Sequence, residues 1–474
     1  MNTRNIKLTF VVIFTVCILS ACSDEDDTVI STSTSDTSTS GNQSHSTKKD
    51  YTVYNFIYQN SGTYYLWSDN VPSSIDFSQY DSPEDLFESF RDTDDKFSCV
   101  IDNYTETLNS FNNQEKTAGL NYQLYLDSEN SSNVIAVVDY VYKDSPAEQA
   151  GLKRGMVIKS VNGQTLTKSN YSELLSSESY YCTYTKIEVA EDGSLSYNGT
   201  EYTSQVMTLT DMSINPVLQT DVIELDGSKL GYFLYDSFTT DTTGIEDVIE
   251  YFALKEIDNL VLDLRFNTGG YATTLTKLAS MIMPSGNAEK VFLTETYNSL
   301  LTEYFTSFYG SDYFNEYFTD QQINLNIKNL YVLTSSSTAS ASEELIAGLS
   351  PYINVITIGS TTYGKYTSCW LINDEDDGSD YSEWAVYLTI ASCKNSNGEM
   401  NFKNGFTPDY AVKDTYTYDL GNTNEPLLAK AISLASGTIA KSSKVTRTLN
   451  TGDYLGSITK PAYRFNMISS RNIQ

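Results

Sequence analysis

The stretch YVLTSSSTASASEELIAGL, residues 331–349, changes character in its middle. Residues 331–334 are apolar and β-prone and read as a buried strand, whereas residues 342–349 carry apolar side chains at helical spacing. Between them stand three small hydroxyl side chains at alternate positions, Thr338, Ser340 and Ser342. Ser340 falls close to the helix start, where amides lack an intrahelical acceptor and the macrodipole favours negative charge. An oxyanion developing there could be met by the amide of Ala341, and small neighbours would keep the hydroxyl open to substrate. A Ser at such a place is ordinarily a helix cap. Its reading as a nucleophile therefore depends on what surrounds it.

The surroundings repeat the same strand-to-helix unit. Strand 229–235 precedes helix 244–254, strand 260–264 precedes helix 272–283, and strand 330–333 precedes helix 342–349 and strand 355–358. Strands separated by helices of this length imply parallel crossovers. Residues 263–270, DLRFNTGG, end one such strand with a Gly pair that lets backbone amides approach a ligand. Sites on parallel sheets lie at the carboxyl ends of the strands, so this loop and the hydroxyl string should face one crevice. Residues 292–320 are thick with Phe and Tyr and read as packing or as a lid. Residues 368–372 and 385–390 read as a hairpin; NDEDDG, 373–378, between them resembles a calcium loop but has Trp384 where the twelfth ligand should be Glu.

Toward the N-terminus the texture differs. Residues 51–113 are helical, and Ser82-Pro83-Glu84-Asp85 is a helix start with cap, Pro and acids in order. From about 119 to 210 the runs are short and β-rich. After the strand 134–141 comes SPAEQAGLKRGMVIKSVNGQTL, residues 145–166: Pro146 opens a short helix, Gly151 ends it, and Asn162-Gly163 closes a tight turn after a strand 156–161. This string resembles a PDZ domain. The resemblance places Gly119, Leu120, Asn121 and Tyr122 at the carboxylate-binding loop and helix 169–177 beside the peptide groove. Such a fold binds a chain terminus by strand addition.

Composition narrows the chemistry. A net charge of −31 over 474 residues argues against nucleic acid and anionic lipid as partners, because phosphate binding rests on Lys and Arg. Against 37 Tyr there is one His, His45, in a low-complexity tract. A Ser-His-Asp triad, a Cys-His dyad and a His-based zinc site all need a folded imidazole, so a nucleophile here needs another base. No carboxylate pair is marked as a glycosidase site.

Arg4 and Lys7 precede an apolar run at 8–19, and Leu19-Ser20-Ala21-Cys22 follows. This resembles a bacterial lipobox and implies removal of residues 1–21 and lipidation of Cys22. Residues 22–50 are acidic and then Ser/Thr-rich, the composition of a flexible tether. The acids after Cys22 resemble signals that direct some lipoproteins outward, so the expected place is the cell envelope: an outer-membrane lipoprotein, periplasmic or surface-exposed. Of the six cysteines, Cys99, Cys182, Cys369 and Cys393 remain beyond the leader and anchor, and their pairing is not legible.

DLRFNTGG, TASASE at 338–343 and TYGK at 362–365, in that order behind a PDZ string, resemble the C-terminal processing peptidases, also called tail-specific serine proteases. The resemblance implies a multidomain α/β protein. It has an N-terminal helical domain (51–115), a PDZ-like β-rich domain (116–210), a β/α core of crotonase/ClpP-like type with an added β-hairpin region (211–440), and an extension (441–474). It makes Ser340 the nucleophile and Lys365 its general base, with Ala341 and Gly269 or Gly270 as oxyanion donors and no metal or organic cofactor. Protein tails are the expected partners. A free Lys is neutral in only about 1 part in 2,500 at pH 7, so the base needs its pKa depressed by roughly 3 units, which costs about 4 kcal/mol. Tyr363, Tyr366 and Trp370 are near enough in sequence to desolvate it. Many members carry Gln four residues after the Lys; here Cys369 stands there, and a thiol is a weak partner. The expected function is a Ser-Lys endopeptidase of extended tails, and the alternative is an inert peptidase fold that binds peptides.

Overall fold

The computed structural model describes residues 51–112, 114–373, 383–399, 402–437 and 449–456, and the backbone of 467–468. Cys22, the leader and the tether lie outside these residues, as does the acidic turn beyond Asn373.

In chain order the main helices are α1 (Thr52–Tyr64), α2 (Pro83–Glu88), α3 (Tyr104–Phe111), α4 (Pro146–Gln149), α5 (Tyr171–Leu175), α6 (Thr243–Lys255), α7 (Ala272–Ile282), α8 (Ser299–Tyr309), α9 (Ala341–Leu349) and α10 (Pro426–Ala435). The main strands are β1 (Cys99–Ile101), β2 (Leu120–Leu126), β3 (Val134–Val141), β4 (Met156–Val161), β5 (Cys182–Lys186), β6 (Val217–Leu225), β7 (Ser228–Tyr235), β8 (Asn259–Asp263), β9 (Gly270–Tyr271), β10 (Val291–Tyr297), β11 (Asn329–Thr334), β12 (Asn354–Gly359), β13 (Thr367–Asn373), β14 (Ala385–Asn395), β15 (Tyr410–Ala411), β16 (Tyr454–Gly456) and β17 (Met467–Ile468).

The central sheet runs β6-β7-β8-β11-β12-β15, antiparallel at β6/β7 and parallel elsewhere, as the β/α alternation requires. Both faces are covered, which is why β8 is apolar almost throughout. Leu260, Leu262, Leu330 and Val332 pack on one face against Ile249 and Phe252 of α6, Leu275 and Leu278 of α7, and Leu345 and Ile346 of α9. Val261, Tyr331 and Leu333 alternate to the other face and meet Leu427, Leu428 and Ala431 of α10. Each such side chain, taken from water, contributes roughly 1.5–3 kcal/mol.

A second sheet carries the expected hairpin, β13 antiparallel to β14, with β10 on its far side. The aromatic segment 292–320 belongs to it. Phe292, Tyr297, Leu301, Phe305 and Phe318 are buried, while Phe308 and Tyr309 on the outer face of α8 are exposed, so the inner half of the segment is packing. The N-terminal region is helical as expected, and the Ser82 hydroxyl caps α2 by accepting from Asp85 N at 3.1 Å. It also contributes a strand that helical periodicity did not announce: β1 pairs antiparallel with β14, Cys99 opposite Tyr387.

The PDZ sheet orders β5-β4-β3-β2-β16. Asn162 and Gly163, at φ 49° and 76°, make the two-residue turn that sets Val161 opposite Gln164. The groove helix is shorter than expected, Tyr171–Leu175.

Candidate active site

Two loops leave neighbouring parallel strands and lock together. Thr338 Oγ1 donates to the Leu264 carbonyl at 2.9 Å, and Ser342 Oγ donates to the Asn267 carbonyl at 3.1 Å, which also accepts from Ala339 N at 3.2 Å. Ser335 Oγ donates to the Arg265 carbonyl. Asn267 in turn donates its amide to the Tyr235 carbonyl at 3.1 Å. The crevice anticipated at these strand ends is therefore a set of named bonds. Below it, buried Arg265 is held by Asp263 at 2.9 Å and Glu425 at 2.9 Å.

Of the three alternate hydroxyls, two are thus committed to carbonyls. Ser340 Oγ alone of the three is buried without a hydrogen-bond partner among the described residues, Lys365 included. Ser340 sits at φ 58°, ψ −119°, a strained conformation for a residue with a Cβ, at the turn from β11 into α9. Strain of this kind, costing on the order of 1–3 kcal/mol, persists where surrounding bonds impose it, and nucleophiles on strand-to-helix turns use it to project their oxygen. Full burial of Ser340 corrects the expectation that small neighbours leave it open: they admit close packing as readily as substrate.

Glu343 imposes the turn. One carboxylate oxygen accepts from Ser340 N at 3.0 Å and from Lys365 N at 2.8 Å; the other accepts from Gly364 N at 2.7 Å and Thr362 Oγ1 at 2.5 Å. A single buried side chain therefore clamps the 362–365 loop to the Ser340 turn, helped by Tyr363 N donating to the Thr338 carbonyl at 2.9 Å. Burial pushes the Glu343 carboxyl up to about 7 against these donors. The residue was visible as the E of TASASE, without a role.

Lys365 is fully buried, and burial drives its pKa down, opposed by Cys369, Asp95 and Glu344. Its Nζ donates to Tyr387 Oη at 3.4 Å and lies 4.6 Å from the centre of the Phe97 ring. The desolvating groups are thus not those nearest in sequence. Tyr363 is 42% exposed, Tyr366 packs with Ala347 and Phe402, and Trp370 packs on Tyr64 and Tyr297. Phe97 comes instead from the N-terminal region, which Ser98 Oγ pins to β14 by accepting from Thr389 N at 2.8 Å. Cys369, at the position of the missing Gln, interacts with the Lys365 amine directly.

Glu344, one helical turn after Ser340, is fully buried, and among the described residues its carboxylate has only the weak Cys393 thiol beside it as a hydrogen-bonding group. Burial pushes it up to about 8, with Glu295 adding to the rise and Lys365 opposing it. Nothing in the sequence marked it.

Of the expected oxyanion donors, the Ala341 amide opens α9, where no intrahelical acceptor exists. The Gly269 amide is already engaged, donating to Asn267 Oδ1 at 2.8 Å. Gly270 has φ 142°, and a Cβ there would fall 2.1 Å from the Phe238 carbonyl, so only glycine fits. In the PDZ loop, Leu120 and Tyr122 point into the core and Asn121 donates to Tyr140 Oη at 2.9 Å. Any peptide recognition by these residues would use backbone. Cys99, Cys182, Cys369 and Cys393 are free thiols, and among the described residues no group of His, Cys, Asp and Glu is placed to hold a metal ion.

Residues 229–412 match the model of peptidase family S41, residues 52–99 its N-terminal domain and residues 137–188 a PDZ domain. Over its core and its N-terminal region the chain is similar to peptidase family S41. It is 28% identical over 349 residues to the carboxy-terminal processing protease CtpA of Bacillus subtilis (strain 168), covering 70% of this chain and 66% of that one. It is 25% identical over 297 residues to CtpB of the same organism, 60% of this chain and 55% of that one. The crystal structure of a protein assigned to S41 from Bacteroides fragilis NCTC 9343 aligns with a TM-score of 0.66 at 27% identity, over 81% of this chain and 97% of that one.

Proposed function

We propose that this protein is a serine endopeptidase that grips extended protein tails through its PDZ domain and cleaves them with a Ser340-Lys365 dyad. The observation that carries the reading is the Ser340 hydroxyl: strained, buried and unpartnered among the described residues, on a turn tied by Glu343 to the loop of a desolvated lysine. Ser340 Oγ attacks the scissile carbonyl carbon while its proton passes to neutral Lys365 Nζ. The oxyanion is met by the Ala341 amide and by Gly270 or, once Asn267 releases it, Gly269. Lys365 then protonates the leaving amine as the peptide bond breaks. Water, giving its proton to Lys365, hydrolyses the acyl-enzyme and returns the hydroxyl to Ser340. The carboxy-terminal processing named for the two Bacillus relatives supports protein tails as the substrate class. The leader and Cys22 support a lipid anchor in the cell envelope.

Cys369 beside the amine, where an amide would orient it better, favours one second reading: a peptidase fold that binds tails without cutting. A fluorophosphonate probe separates the two, since the enzyme forms an adduct at Ser340 and the binder does not. On a disordered protein substrate, Ser340→Ala and Lys365→Ala should both abolish cleavage. Equal cleavage by all three forms removes the mechanism.

A further inference from the structure

The edge at which a PDZ domain takes its ligand is occupied here by the chain itself. β16 runs antiparallel along β2, with Tyr454 opposite Tyr125 and Gly456 opposite Leu124. Leu126 N donates to the Asp453 carbonyl at 2.8 Å, and Gly452 N donates to the Leu126 carbonyl at 2.8 Å. The approach is close: a Cβ on Gly452 would fall 2.8 Å from that carbonyl. Tyr454 Oη donates to Gln123 Oε1 at 2.7 Å, its ring lies 5.5 Å from that of Tyr125, and its phenol also meets Ser337 of the nucleophile loop. Leu449 anchors the segment in a small apolar cluster with Ile135, Val137 and Tyr197.

The same part of the chain touches the second sheet. β17 lies between β9 and β13, parallel to both: Met467 pairs with Gly270, Ile468 with Tyr271 and Cys369. It therefore separates the strand that begins at Gly270, a proposed oxyanion donor, from the strand that follows Lys365. An extended substrate held against both would run there.

We infer that residues 452–456, on the β2 edge, and 467–468, in the gap between β9 and β13, are intramolecular ligands of one peptide track, and that a substrate tail must displace them. The inference rests on the endopeptidase reading only in naming the competitor; the track and its occupant stand on backbone pairing. A tethered strand competes at an effective concentration of about a millimolar, so one that binds with a Kd of ~0.1 mM when free raises the apparent KM about tenfold.

The test uses the full chain, a chain ended after Thr451, and a labelled peptide of residues 452–474. The peptide should bind the shortened chain saturably and the full chain at least several-fold more weakly. With a disordered protein substrate the shortened chain should show KM lowered about tenfold at unchanged kcat, and added peptide should restore it competitively. Gly452→Val in the full chain, which forces the segment off β2 without shortening anything, should move KM the same way. Equal peptide binding by both chains, or none by either, overturns the inference, as does an unchanged KM in both altered forms. Absence of a fluorophosphonate adduct at Ser340 in every form would defeat the peptidase reading while leaving the binding measurement decisive.

Discussion

Thr338, Ser340 and Ser342 are chemically near-equivalent and two residues apart, and what separates them is which carbonyl each can reach. The outer two bond the neighbouring strand's loop; the middle one, at a positive φ, is buried with no hydrogen-bond partner among the described residues. Lys365 has the complementary condition, an amine that burial makes less basic. Its folded pKa lies below its unfolded value, so between the two the unfolded chain holds more protons and stability is lost as pH falls through the folded pKa. Lys365→Met should therefore abolish cleavage yet raise Tm, by more at pH 6 than at pH 9, in scanning calorimetry. Glu344 has the opposite sign. Pushed up to about 8, it holds its proton in the folded chain above pH 4.5, and stability drains away as pH rises toward 8. Glu344→Gln should match wild type near pH 4 and be more stable at pH 9 by on the order of 3–5 kcal/mol, read from denaturant unfolding across pH.

Among elements, α9 decides where the proposed nucleophile stands, because its first turn is the Ser340 turn and its last is wedged against β10. A Cβ on Gly348 would fall 2.1 Å from the Phe292 ring. Gly348→Ala forces the helix or the ring to move, at a cost of about 1–3 kcal/mol. The expected signature is a lower denaturation midpoint with kcat reduced more than KM changes, since the displaced helix carries Ser340 and Glu343 with it. The β/α order of this core was legible because both-face burial writes continuous apolar strands and crossover helices write a 3.6-residue period. β1 was not legible: three residues in a helical region pair with β14 only because the chain folds back onto it.

At the scale of the molecule, the PDZ domain is fixed to the core through buried charge. Asp414 bridges Arg154 of the PDZ domain at 2.5 Å and Arg265 of the core at 3.1 Å. Despite its burial, the two guanidiniums hold its carboxyl well below the usual range, so this contribution is present above about pH 4 and is lost as pH falls further. Tyr140 and Tyr142 both donate to Asp236 across the same boundary, at 2.7 and 2.6 Å. Asp414→Asn leaves two cations facing one another and should cost roughly 3–5 kcal/mol. Thermal unfolding should then begin at the PDZ boundary, seen as earlier hydrogen exchange in β3 and β4.

What the amino-acid order determined by itself was local: the strands and helices of the core, the Asn-Gly turn, and the three short strings that together resemble one peptidase family. Each follows from periodicity or from a residue's own backbone preference. Only the tertiary structure decided which hydroxyl is left unbonded, that Lys365 is dried by Phe97 and Tyr387 rather than by its sequence neighbours, and that residues 452–456 lie along the PDZ edge. Those facts depend on which segments remote in sequence meet, and burial and hydrogen bonding are set by that meeting.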